Sequence, residues 1–259
     1  MKKILIFMLG TFLVISANAQ IKKGEWTVGP VITTTNPIYS GAATLILQRI
    51  EAVACGENGF PPSAQLIYPD FSYNWHAIKK LEINDNKAKF QHKMDWELKN
   101  YSVGYRFGYM SRTIPLGFEL QANYEQESMS YKFSNDEDYR DITKTMLVPV
   151  ALLKIRFGSY ATESINPVLE VGGSYDYALS FKEKHGDTTI KGKEYVNNGF
   201  SGIVGLGITI PMTHVSFSIR YSHKFYKYYN SEAEYNGKML DFNEKSTFGT
   251  FTVASSYAF

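Results

Sequence analysis

Residues 245–259 read KSTFGTFTVASSYAF, and stepping back from Phe259 by twos gives Phe259, Tyr257, Ser255, Val253, Phe251 and Gly249. The other phase gives Ala258, Ser256, Ala254, Thr252 and Thr250. Successive side chains of a strand point to opposite faces, so this split describes a strand between two unlike media. Bulky apolar groups on one side and small, mostly polar ones on the other is the pattern of a strand that crosses a membrane as part of a barrel.

The other end of the chain says how it gets there. Lys2 and Lys3 precede an apolar run at 4–15 that ends in Ser16-Ala17-Asn18-Ala19, the layout of a secretory signal peptide cleaved after Ala19. The run is too short to cross a bilayer as a helix. Gln20 follows the expected cut, so no cysteine stands there to take a lipid. The 27 basic residues less Lys2 and Lys3 leave 25 against 25 acidic ones, a balance that does not attract a polyanion; no nucleic-acid partner is expected. No later stretch reaches the roughly eighteen apolar residues of a spanning helix. The 19 Tyr, 17 Phe and 3 Trp suit a barrel, which spans without any such run. Cys55 is the only cysteine, so there is no internal disulfide, and the thiol is expected to be a small buried hydrophobe.

Taken in order, the chain predicts a first strand over 25–33, with Trp26, Val28, Pro30 and Ile32 on one face and Thr27, Gly29 and Val31 on the other. Pro30 is unusual inside a sheet and points to a bend or bulge. A long first outer loop is expected at 34–95. Within it, 42–55 is apolar without alternation and reads as a short helix with Ser40 and Gly56 as caps.

From residue 96 the alternation becomes regular. Tyr101, Val103, Tyr105, Phe107 and Tyr109 oppose Ser102, Gly104, Arg106 and Gly108; after a turn at 111–114, Leu116, Phe118, Leu120, Ala122 and Tyr124 oppose Gly117, Glu119, Gln121, Asn123 and Glu125. Reflection about that turn sets Phe107 opposite Phe118 and Arg106 opposite Glu119. After Gln126 the apolar set becomes Met129, Tyr131 and Phe133, which predicts a bulge or the exit from the membrane. Further strands are predicted at 143–158, 167–182, 196–210 and 215–229, before the terminal one. Long polar connections at 135–141, 183–195 and 230–244 alternate with short turns near Arg112, Ser164 and Met212. The expectation is an all-β protein: an antiparallel transmembrane β-barrel of eight strands, ten if the first loop hides a hairpin, with both termini in the periplasm. Residues 20–259 form its single domain.

The segments VPVALLKIRFG (148–158), INPVLEVGGSYDY, FSGIVGLGITIP, SIRYSHKF and the ending VASSYAF together resemble the PorT-like outer-membrane β-barrel family of Bacteroidota, over 96–259. The resemblance implies a small outer-membrane barrel. The member that names the family is implicated in protein secretion, a role the segments do not carry over. Phe251, Val253, Tyr257 and Phe259 likewise resemble the C-terminal signal that such barrels show to the barrel assembly machinery. That machinery and outer-membrane lipid are the first partners expected.

Arg106, Glu119, Glu125, Lys154, Arg156, Glu170, Asp176 and Arg220 all fall on the inward phase. They can be a proton or ion path, or a plug of paired charges. An eight-stranded barrel is only just wide enough for its own side chains, which favours the plug, and buried charges must then be paired. Ser222 and His223 are adjacent and point to opposite faces, so no nucleophile–base pair and no catalytic residue is expected. His76, His92, His185 and His214 lack metal-ligand spacing and read as surface residues. Asp136, Glu137, Asp138 and Asp141 lack the order and glycine of a calcium loop. No metal or cofactor is expected.

The apolar Leu45, Ile46, Ile50 and Val53, with the aromatics Phe71, Tyr73 and Trp75, must be covered by the barrel mouth or by another protein. The functional expectation is therefore a non-enzymatic barrel acting as a structural or accessory subunit of an outer-membrane protein complex related to secretion or transport. Its first loop is the binding element for an outer-membrane protein partner. The rival is a small transport channel or a lipid-modifying barrel.

Overall fold

A computed structural model of the chain describes residues 24–34, 70–91, 99–111, 113–158, 165–210, 215–235, 238–239 and 242–257. The strands are β1 (Gly24–Thr34), β2 (Asp70–Ile83), β3 (Asn86–Lys87), β4 (Lys89–Phe90), β5 (Tyr101–Ser111), β6 (Leu116–Lys132), β7 (Arg140–Arg156), β8 (Asn166–His185), β9 (Thr188–Lys191), β10 (Gly199–Ile210), β11 (Val215–Lys224), β12 (Glu234–Tyr235), β13 (Lys238–Met239) and β14 (Glu244–Tyr257). A ring closes in the order β1-β5-β6-β7-β8-β10-β11-β14-β2 and back to β1. The fold is a transmembrane β-barrel.

All eight expected strands are present, in the expected order. A ninth, β2, stands between the first and the last. It comes from 70–83, which the sequence reading assigns to the first outer loop. β2 runs antiparallel to β14 from Ser255↔Phe71 to Glu244↔Ile83. Against β1 it is parallel, from Val31↔Asp70 to Thr34↔Tyr73. The overlap with β1 is short because a closed, tilted sheet must be staggered. The ends Gly24 and Tyr257 therefore lie at the same end of the barrel, as expected for an even count, although the count is nine.

Three local expectations change. Phe107 pairs with Leu120 and Arg106 with Gln121, two residues away from the reflected register, so each face keeps its character. The ladder of β1 with β5 runs without a shift past Pro30. Pro149 is where a ladder breaks: β7 pairs with β8 at Leu147↔Tyr177 and resumes at Val150↔Ser174, because proline has no N–H to donate.

The apparent phase slip after Gln126 is an exchange of media. β6 pairs with β7 in one unbroken register from Leu116↔Ile155 to Tyr131↔Arg140. The inward phase runs Glu119, Gln121, Asn123, Glu125 and Glu127, then continues as Met129 and Tyr131. Across neighbouring strands Val103, Tyr124, Leu147 and Tyr177 stand side by side, outward and exposed. Above that row the outward positions are Gln126, Ser128, Ser130 and Lys132, while Ile142 and Phe181 join the buried interior. The barrel is polar inside and apolar outside where it crosses lipid; above the lipid it is apolar inside and polar outside. Leu116 to Gln126 matches the roughly 9–11 residues of one crossing, so the 17 residues of β6 and β7 and the 20 of β8 stand well above the bilayer. Bulges do occur near this boundary, at Ala77 in β2 and Leu179 in β8, where the partners skip from His76 to Ile78 and from Ala178 to Ser180. Each one resets which residues face inward.

Candidate functional site: a sealed lumen

The lower lumen is organised on Glu119 of β6, which has no exposed surface. Its carboxylate receives Arg106 from β5 at 3.5 Å, Lys154 from β7 at 2.5 Å and Arg220 from β11 at 2.9 Å. Glu170 of β8 accepts from the same Arg220 at 2.6 Å and the same Lys154 at 3.2 Å. Gln121 Nε2 donates to Glu119 at 2.7 Å, and Asn123 Nδ2 donates to Gln121 at 3.0 Å. Inward glycines make the room: a Cβ on Gly205 would lie 2.9 Å from the Arg220 Cγ, and one on Gly104 would lie 2.1 Å from the Asn123 Oδ1. Five of the eight charges read from the sequence thus form one network. Three cations share two carboxylates, and geometry of this density is what offsets the desolvation of buried charge. Arg156 is buried two residues below Lys154 on the same face, and Asp176 belongs to a second cluster higher up.

Of that second cluster the alternation marks only Asp176. Lys224 of β11 lies 3.0 Å from Glu127 and 3.4 Å from Asp176. The Tyr226 hydroxyl donates to Asp176 at 2.6 Å. Lys144, fully buried, donates to the Asn197 carbonyl at 3.1 Å and sits 5.2 and 5.0 Å from the rings of Tyr226 and Tyr228. His76, expected at the surface, lies in the wall of the lumen with Nδ1 3.1 Å from the Thr250 hydroxyl. Between the clusters is a cavity of about 140 Å³ lined by Ser102, Asn123, Glu125, Ser174, Ser201 and Thr252, among others. Its polar lining suits water.

Above Lys144 the lumen is stopped by carbon. Leu81, Met129, Ile142, Phe181, Val196 and Phe248 pack with Tyr131, Tyr228 and Tyr229. Each such side chain contributes about 1.5–3 kcal/mol on leaving water. Tyr228 and Tyr229 reach in from the segment after β11, held by the Glu244 carboxylate, which accepts their amide N–H groups at 2.7 and 2.8 Å. Among the described residues a polar thread crosses the stopper: the Tyr131 and Tyr229 hydroxyls meet at 2.8 Å, Tyr229 donates to Glu183 at 2.9 Å, and Arg140 reaches Glu183 at 3.2 Å.

The remaining expected sites resolve as follows. Ser222 lines the cavity, whereas His223 is outside, 3.3 Å from the Tyr221 hydroxyl and stacked edge-on with Phe225; the two do not form a pair. Among the described residues no group of three or more His, Cys, Asp or Glu is placed to hold a metal. Asp136 is engaged by Arg140 at 2.9 Å. Phe71, Tyr73 and Trp75 belong to strand β2 and not to a loop; Trp75 is outward, 62% exposed and 6.2 Å from the Phe251 ring, in the position of a lipid-facing aromatic. Phe251 and Val253 face outward on β14. Leu45, Ile46, Ile50, Val53, His92, His214 and Phe259 lie outside the described residues.

No family model and no curated protein matches the chain. Among solved structures, the attachment invasion locus protein Ail of Yersinia pestis resembles it at 14% identity and a TM-score of 0.30, covering 70% of this chain and 97% of Ail. Ail in complex with the heparin analogue sucrose octasulfate resembles it at 12% identity and a TM-score of 0.32, covering 70% and 94%.

Proposed function

We propose that the protein is a sealed, non-enzymatic outer-membrane barrel that serves as a structural or accessory subunit of an outer-membrane assembly, with residues 34–69 as the element that meets its partner. The observation that carries the reading is the closure of the lumen: two ion-pair clusters fill it, and the apolar stopper anchored on Glu244 lies across its outer mouth. A conduit for solutes needs a continuous aqueous path, and a lipid-modifying enzyme needs its nucleophile and base on one face; the geometry supports neither. The secretory signal at 1–19 and the lipid-facing apolar band favour the outer membrane.

The reading is tested in two steps. In planar bilayers the full chain should give no steady conductance, and a Y228A/Y229A variant should stay closed as well, because the two ion-pair clusters still fill the lumen. A steady current from the unmodified chain would make it a channel. A tagged copy purified from native membranes in mild detergent should bring down one stoichiometric protein that is lost when 42–55 is deleted; a barrel that comes down alone ends the accessory role.

A further inference from the structure

Lys182 of β8 stands directly opposite Lys191 of β9, and Lys89 of β4 directly opposite Lys132 of β6. Like charges facing each other across strands destabilise a sheet, and here the repulsion occurs twice. Lys184 follows two residues above Lys182 on the same outward face. Four of five neighbouring strands, β4, β6, β8 and β9, therefore carry five outward lysines, and β7 between β6 and β8 carries none. The one outward carboxylate among their described residues, Asp141, is opposite Lys184 and accepts the Ser130 hydroxyl. Among the described residues, no carboxylate lies in ion-pair range of Lys182, Lys184 or Lys191.

This fold neutralises an outward lysine elsewhere. On the far wall Lys245 of β14 lies 3.1 Å from both Glu82 and Asp85. On the lysine face the acids are displaced instead to the tips: Asp136, Glu137 and Asp138 between β6 and β7, and Asp187 between β8 and β9. On these strands, with the exception of Glu194, exposed just after β9, charge is thus sorted along the barrel axis, with acids at the tips and lysines below them. That is the order an anionic membrane surface favours.

The depths narrow the ligand. Lys182 follows the last outward apolar residue of its strand, Leu179, by three positions, about 8 Å above the hydrocarbon for a strand tilted as in such barrels. That is headgroup depth. Lys132 follows Tyr124 by eight positions, about 20 Å up by the same geometry. A simple phospholipid has no anionic group so far out. We propose that this face binds a phosphorylated glycolipid of the outer leaflet, with Lys182 and Lys191 holding phosphate at the outer edge of the headgroups, Lys184 closing on it from about 5 Å farther out, and Lys89 with Lys132 holding anionic groups on its sugars. The proposal rests on the outer-membrane placement above, and is independent of the accessory role.

The test uses the full chain in phosphatidylcholine nanodiscs doped with bisphosphorylated lipid A, with lipid A stripped of phosphate, or with lipopolysaccharide bearing a phosphorylated inner core. Retained lipid is read by native mass spectrometry, and heat-modifiable gel mobility confirms that each variant is folded. The expected result is preferential retention of the phosphorylated lipid A, reduced roughly tenfold or more in K182Q/K184Q/K191Q. K89Q/K132Q should leave lipid A retention unchanged and lower that of the core-bearing lipid. Equal retention by the triple variant, equal retention of the dephosphorylated lipid, or displacement by inorganic phosphate or a soluble sulfated polysaccharide would overturn the proposal alone. A chain that inserts into none of these bilayers would overturn the placement together with it.

Discussion

Glu119 is the residue on which the lower lumen turns, since Arg106, Lys154 and Arg220 all converge on it. Glu119→Ala leaves three buried cations to one carboxylate and should cost about 3–5 kcal/mol, measured as a shift in urea unfolding of the barrel in lipid vesicles. Gly199 is a second sensitive point: a Cβ there would lie 2.2 Å from the Tyr226 ring, which closes on the upper charge cluster. Gly199→Ala should destabilise by about 1–3 kcal/mol through overpacking and lower the temperature of heat-modifiable mobility. At the outer tip, hydrogen bonding from Arg140 holds the Asp136 carboxyl below its ordinary range. A carboxylate with a lowered folded pKa contributes stability above its unfolded value and loses it as pH falls through the folded one. The protection factor of the Phe133 amide, which donates to Asp136 at 3.2 Å, should therefore fall towards acid once exchange is corrected for its intrinsic pH dependence, and Asp136→Asn should remove that fall.

At the scale of elements, β2 is the departure from the eight-strand pattern. With Cys55 replaced by Ser, Thr33→Cys and Ser72→Cys occupy partners on β1 and β2 and should form a disulfide on oxidation. Closure of β14 directly on β1 would leave them apart. The other strands were legible because one medium acts along the part that was read: Arg106, Glu119, Lys154, Glu170 and Arg220 are marked as inward by the apolar neighbours that alternate with them. β2 hides because both of its cues change within 14 residues. Ser72, Asn74 and His76 face inward below the bulge, Leu81 and Ile83 above it, so polarity and phase shift together and the alternation cancels. Glu127 is hidden in the sequence for the same reason: it is the last polar member of an unbroken inward phase, just where the outward side turns from apolar to polar.

For the whole molecule, the exchange of polarity divides the wall into two regimes with opposite tolerance. Leu120 lies outward in the middle of the lipid band, and Ser128 lies outward above it on the same strand. Leu120→Lys should cost about 2–4 kcal/mol of folding free energy in vesicles, and Ser128→Lys about 0–1; equal costs would mean that both positions face the same medium. The ninth strand also decides the calibre of the vessel. Adding one strand spacing to the circumference widens a barrel by roughly 1.5 Å in diameter. At eight strands the bore is only just filled by its own side chains; at nine it takes lysines and arginines reaching across from opposite walls, with a chamber of about 140 Å³, room for several waters, left between them. Girth is thus set by a single segment spliced between the first and last staves, so lengthening or shortening one surface excursion can retune the bore while leaving every other stave in its place.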